Sequence, residues 1–316
     1  MSALAPIHLH VHSTYTLLGA TASVRSLATR AAADGLTHLA LTDHNVLYGA
    51  VALQKACRQA GIEPLLGMTL TVRLPETLAP DGLPDQLLLL ACNPAGYRSL
   101  CRLSSHIQRS PEREQLAQQG VPWRLLKDEH AGLLCIAGGR RSRLEGWLRN
   151  DAAKQALMYA SHLAGLFDEQ LYLALELHQP PDQAIAEQIV KLGRRFGLPP
   201  VAVQPVYCLE PQERSRLRLL AAIDRNCTLD EVAAADLPDG DDPQVDLHWL
   251  RPAAMQARFA HFPDALAATQ TIAAGSQPAL PDGRPIWPVL KLPPAMKSCK
   301  CDLSPAIPRR RDQCRT

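Results

Sequence analysis

The stretch HLHVHSTYTLLGA, residues 8–20, places His8, His10 and His12 at every second position. On an extended chain such residues project the same way with Cα atoms roughly 6.5–7 Å apart, so two imidazoles can each reach one of a pair of adjacent metal ions. Leu41-Thr42-Asp43-His44 adds another imidazole and a carboxylate at the end of an apolar run. Ions held in this way polarise phosphoryl oxygens and turn bound water into a nucleophile. The competing expectation is that one or two of the histidines only hydrogen-bond the floor of the fold. Weaker candidates follow. His38 and Asp43 would either orient ligands or stand as satisfied, partly buried polar residues, the commoner case. Glu176 and His178, in LALELHQP, would face either the mouth of a site or a loop. Gly138-Gly139-Arg140-Arg141 offers amides and guanidinium groups to a phosphate, but without the spacing of a phosphate loop.

Such side chains need rigid strand ends to hold them. IHLHVH alternates, with Ile7, Leu9 and Val11 on one face and the histidines on the other. SVRSLATRAAADG puts Val24, Leu27, Ala28 and Ala31 at helical spacing, with Gly35 as a C-terminal cap. THLALTDH, PLLGMTLTV, QLLLLA, GLLCIAG, QLYLALEL and PVAVQPVY read as further strands, most of them separated by amphipathic helices. Alternation of this kind predicts a parallel sheet, and seven strands in about 200 residues predict an α/β barrel with its site at the C-terminal strand ends. Residues 1–209 are expected to form the barrel. Residues 210–285 read as a helical extension split by the acidic DLPDGDDPQ, and 286–316 as a Pro-rich, basic tail too polar to pack.

Composition narrows the function classes. Of 316 residues, 47% are hydrophobic and 4% aromatic, which suits an aliphatic core under many helices. No apolar run approaches the roughly 18 residues of a membrane span, and MSALAPIHLH has no signal core, so a cytoplasmic protein with no membrane partner is expected. The nine scattered cysteines fit reduced thiols. Cys299 and Cys301 are the one close pair, without a second pair or a nearby histidine. The net charge of +2 hides an uneven distribution: seven Lys/Arg against Asp302 and Asp312 in residues 286–316 leave the first 285 net negative. A domain so balanced makes weak or no independent contact with DNA, which needs clustered cations, and Arg309-Arg310-Arg311 reads as solvated.

In order along the chain, HLHVHSTYTLLGA, LTDHNVLYGAVALQKACRQAGIEPLLG, LLLLACNPAGYRSLCRLSS and VYCLEPQE resemble the PHP (polymerase and histidinol phosphatase) domain that opens the bacterial replicative DNA polymerase III alpha subunit. The resemblance covers about residues 7–290. It implies a distorted (βα)7 TIM-like barrel with a C-terminal helical extension and, in intact family sites, a cluster of about three metal ions for phosphoester hydrolysis. Position by position, His10, His12 and His44 match family ligands, and His106, in LSSHI, matches a fourth.

The remaining ligands of the family are replaced. Gly19, Thr69, Gly139, Pro205 and Tyr207 stand where the resemblance implies Asp, Glu, Cys, Asp and His. Gly and Pro offer no side-chain donor, and a phenol with pKa near 10 is a poor ligand at neutral pH. A multinuclear site needs bridging carboxylates, whereas three or four imidazoles hold at most one zinc. The expectation is one zinc at most, no three-metal cluster, and a non-catalytic barrel that stabilises polymerase domains or docks a proofreading exonuclease subunit. The alternative is a free-standing metal-dependent phosphoesterase, a 3′–5′ exonuclease or histidinol-phosphatase-like enzyme, built on His10, His12, His44 and His106. In the family a palm with paired aspartates follows the PHP segment. This chain ends near that boundary, so a truncated or frame-shifted product without polymerase activity is expected.

Overall fold

The computed structural model describes residues 5–281. The expected tail, with Cys299, Cys301 and the three consecutive arginines, lies outside the described residues. Short apolar runs and amphipathic stretches become β1 (His10–Val11), α1 (Val24–Ala33), β2 (His38–Leu41), α2 (Ala50–Ala60) and β3 (Glu63–Arg73). Next come β4 (Asp85–Ala91), α3 (Pro94–Gln108), α4 (Arg113–Gln119), β5 (Val121–Pro122), α5 (Trp123–Asp128) and β6 (Leu133–Gly138). Then follow α6 (Arg143–Arg149), α7 (Ala153–Phe167), β7 (Leu171–Leu175), α8 (Pro181–Phe196), β8 (Pro200–Ala202) and β9 (Pro205–Val206). The last elements are α9 (Arg214–Arg225), α10 (Pro252–Arg258) and α11 (Pro263–Gly275).

Helix ends are chemically marked. Ser26 N donates to the Ser23 hydroxyl (3.1 Å) at the start of α1. Ala95 N and Gly96 N donate to Asn93 Oδ1 (2.9 and 3.1 Å) ahead of α3, whose first residue, Pro94, has no N–H to leave unpaired. α2 ends at Gly61, in the left-handed conformation that glycine adopts without strain (φ 72°).

Hydrogen-bonded strands run β2-β3-β4-β6-β7-β8, with β5 beside β3, while β1 pairs with β9. β1 is also tied to the end of β2: Thr42 N donates to Val11 O (2.8 Å) and Val11 N to the Thr42 hydroxyl (2.8 Å). The result is a curled, barrel-like α/β sheet with surrounding helices, as expected. The expected parallel order fails at one strand. β4 is antiparallel to both β3 and β6, because residues 74–84 join β3 to β4 without a helix and only a crossover returns a strand parallel.

β4 is buried on both faces through Leu87, Leu88, Leu89 and Leu90, which explains its lack of alternation. The main core extends past the barrel strands to Met255, Phe259, Ala265 and Ile272, so α10 and α11 pack into it. The segment before them packs separately. Leu217 and Val245 join Ala20 and Tyr207 in one small cluster, and Ala221, Ala222, Val232 and Leu237 form another. No described helix is long and apolar enough to cross a membrane.

Candidate functional site

The three histidines of the opening stretch have different neighbours. His8 belongs to the wall: its Nε2–H donates to Leu250 O (2.8 Å) and its ring lies on Trp249, centroids 4.2 Å apart. Burial pushes its pKa down to about 4, so it is neutral. His10 and His12 meet instead. The Thr16 hydroxyl donates its one proton to Asp43 Oδ1 (2.8 Å), so toward His12 Nδ1 (3.0 Å) it acts as acceptor. His12 therefore carries its proton on Nδ1, and its bare Nε2 accepts from His10 Nε2–H (2.9 Å). The Tyr207 ring stacks on His12 at 4.2 Å. Burial holds the His10 pKa at about 4 and that of His12 well below the usual imidazole value, and their mutual repulsion lowers the latter further.

Asp43 closes this chain. Its oxygens accept from Ser13 N (2.7 Å) and the Ser13 hydroxyl (3.0 Å) as well as from Thr16. Burial raises its pKa to about 6, against those hydrogen bonds. His44 sits beside the pair, and its Nε2 shares a hydrogen bond with the Thr71 hydroxyl (2.7 Å). Asn45, held in the left-handed conformation (φ 59°), anchors that arrangement by donating to Thr71 Oγ1 (3.2 Å) and accepting from Thr71 N (2.9 Å). Burial again lowers the His44 pKa to about 4.

The loops after β6 and β7 complete a small cavity lined by His10, Thr69, Gly139, Arg141, Glu176 and Tyr207, among others. Glu176 Oε1 accepts from His178 Nε2 (2.7 Å) and Oε2 from Arg140 N (3.1 Å). Burial pushes the Glu176 pKa up, but the hydrogen bonds from His178 and from Arg140 N help bring it below the usual value. A side chain at position 139 would put its Cβ 2.7 Å from Glu176 Oε2 and would need φ near +89°, so glycine there makes room for the carboxylate.

The fold thus brings His10 and His12 together, links them to Asp43 through Thr16, and leaves His44 adjacent. His106 is on α3. Its neighbours Ser104 and Gln108 donate to Asn45 O (3.2 and 3.5 Å), while its own ring has no hydrogen bond or ring contact with the other three among the described residues. His38 begins β2 and bonds Thr37 (2.9 Å), roughly 20 Å along the strand direction from His44. Thr16, Thr71 and Asn45 escaped notice in the sequence. The one local signal was Asn45 directly after the histidine, since Asn tolerates positive φ. Thr69, Pro205 and Tyr207, at positions where the resemblance implied ligands, line the cavity, and Gly139 shapes it.

Most of these donor atoms are engaged within the protein. Both nitrogens of His12, the His10 Nε2, both Asp43 oxygens and both Glu176 oxygens already have hydrogen-bond partners. Among the described residues, no group of three or more His, Cys, Asp or Glu side chains has a geometry that would hold a metal ion.

A cavity at the strand ends of a curled α/β sheet, rimmed by the His-x-His of its first strand, matches the family comparison: this chain belongs to the PHP domain family, whose model matches residues 8–178. Its relatives include the DNA polymerase III alpha subunit of Bacillus subtilis, 31% identical over 267 residues, which are 84% of this chain and 22% of that one. An error-prone DNA polymerase of Symbiobacterium thermophilum is 32% identical over 87% of this chain and 25% of its own. The chain therefore spans a quarter or less of these relatives. Among solved structures, an amidohydrolase from Chromobacterium violaceum with bound sulfate and no metal aligns over 65% of this chain and 88% of its own, with 16% identity and a TM-score of 0.42.

Proposed function

We propose that this chain is a non-hydrolytic PHP barrel of the replicative-polymerase alpha-subunit type, a structural and partner-docking module of bacterial DNA replication in the cytoplasm. The observation that carries this reading is the direction of the donors. His10 and His12 bond each other, His44 bonds Thr71, and Glu176 bonds His178, so a cation cluster would have to break each of these contacts and would lack the carboxylates the resemblance implies at positions 19, 69 and 205. Polymerase domains or a proofreading exonuclease subunit are the partners this reading assigns; the names of the relatives support the first. The net negative charge of residues 1–285 makes independent DNA binding weak.

At most one zinc would be held, by His10, His12 and His44 with His106 as the fourth candidate. Metal analysis of the purified chain, with phosphatase and single-strand exonuclease assays, tests the reading. One ion or none and no turnover is the expected result, while several tightly held ions with turnover would establish the phosphoesterase instead. If one zinc is present, His12→Ala should remove it and lower the melting temperature. Loss of metal with unchanged melting would show that the ion does not brace the fold.

A further inference from the structure

After β9 the chain leaves the barrel and, after an excursion, its return strand pairs beside the point of exit. Tyr207 N donates to Leu247 O (2.8 Å), Cys208 forms a parallel bridge with His248, and Trp249 N donates to Cys208 O (3.0 Å). Residues 210–247 therefore hang from a two-stranded neck, fixed on its return side by Trp249 Nε1 donating to Asp34 (2.8 Å). Inside, this excursion is well braced. It holds an apolar cluster of its own around Val232 and Leu237. Arg214, Arg218 and Arg225, close to one face of α9 by their spacing, pair with Asp239 (2.6 Å), Asp241 (2.8 Å) and Asp236 (2.8 Å).

Its attachments to the barrel are mostly polar. Arg140 pairs with Asp242 (3.0 Å), Arg141 donates to Leu237 O (3.0 Å), and the Thr21 hydroxyl donates to Glu213 (3.4 Å). Nearer the neck, Arg30 pairs with Glu210 and Arg258 with Asp246, Gln204 Nε2 donates to Asp246 O (2.9 Å), and Asp246 N donates to His178 Nδ1 (3.1 Å). The apolar share is small: Leu217 and Val245 against Ala20 and Tyr207. Pro238, carried by this segment, walls the cavity that contains His10, Arg141 and Glu176.

We propose that residues 210–247 form an ion-latched cap that swings about its neck as a unit while the barrel stays folded, and that this motion controls entry to the cavity. A braced body joined to its base by a narrow neck, partly exposed ion pairs and little shared core is the part of a fold that opens at less cost than global unfolding. Partly exposed pairs are also weakened by salt. The cap acts in the same way whichever ligand the cavity takes, and whether or not the site hydrolyses anything.

Peptide-resolved maleimide labelling of the full chain tests this. Ala20, 4% exposed, lies beneath Leu217, and Cys135, fully buried in β6, reports opening of the barrel itself. The thiol introduced by Ala20→Cys should label about tenfold faster than Cys135, and about tenfold faster still when KCl is raised from about 0.05 M to about 0.5 M. Arg140→Gln should raise the low-salt rate toward the high-salt one. Hydroxyl-radical footprinting of Tyr207 in the unaltered chain makes the same salt comparison should Ala20→Cys fail to fold. Slow labelling at position 20 that matches Cys135 at every salt concentration, or Tyr207 protection unmoved by salt, overturns the cap.

Discussion

Buried imidazoles and carboxyls pull the stability of this protein in opposite directions as pH changes. Burial lowers His8, His10 and His44 to about 4 and His12 well below its usual value, whereas in the unfolded chain they protonate near 6.5. Between about 4 and 6.5 the unfolded chain thus binds more protons than the folded one, and the imidazole contribution to stability is lost as pH falls through that window. Asp43 and Asp85, raised to about 6, and Glu145, raised to about 7, also mainly by burial, act the other way. They favour the fold as pH drops from about 7 toward 4. The loss in unfolding free energy between pH 7 and pH 5 should be smaller in His10→Gln than in the unaltered chain by about 2 kcal/mol in urea titrations. An identical loss would show that His10 titrates normally in the fold. The candidate metal histidines were legible as residues, but their lone pairs were not. His12 is committed by Thr16 and His44 by Thr71, and nothing in the spacing of the histidines announces those hydroxyls.

At the level of elements, the strands were legible because aliphatic runs bounded by polar residues have few alternatives to a buried strand. Direction was not. β4 carries the same leucines whichever way it runs, and its reversal depends on the connection before it, where VRLPETLAPDGLPD contains no helical period. The close packing of α3 was equally hidden. A Cβ on Gly96 would fall 2.1 Å from Gly132 O, a backbone atom that has no rotamer by which to withdraw. Gly96→Ala should therefore destabilise the protein by about 2 kcal/mol or more, in contrast to the gain that alanine usually brings inside a helix. Thermal melting checks this, and an unchanged or raised midpoint would mean that α3 lifts off the loop before β6 without cost.

The whole molecule has one main core and a separately packed excursion. Phe259, fully buried, joins α10 to the barrel core. Phe259→Ala should cost about 3–5 kcal/mol and lower the melting of the barrel as a single transition. Leu237→Ala, inside the small cluster of the excursion, should loosen that segment more than it lowers the main transition. A separate melt for the segment that contains Phe259 would show that α10 and α11 are not part of the barrel. The sequence by itself determined which chemical groups stand near the strand ends, and that carboxylates are missing where the family resemblance implied them, because residue type is a local property that folding does not alter. Only the tertiary structure decided that His10 and His12 face each other, that Glu176 is paired with His178 beside a glycine that makes room for it, and that a segment more than two hundred residues from the opening histidines walls their cavity. The reason is physical: hydrogen-bond partners and the exclusion of water are supplied by residues distant in the chain, and their positions exist only once the strands have closed around a common core.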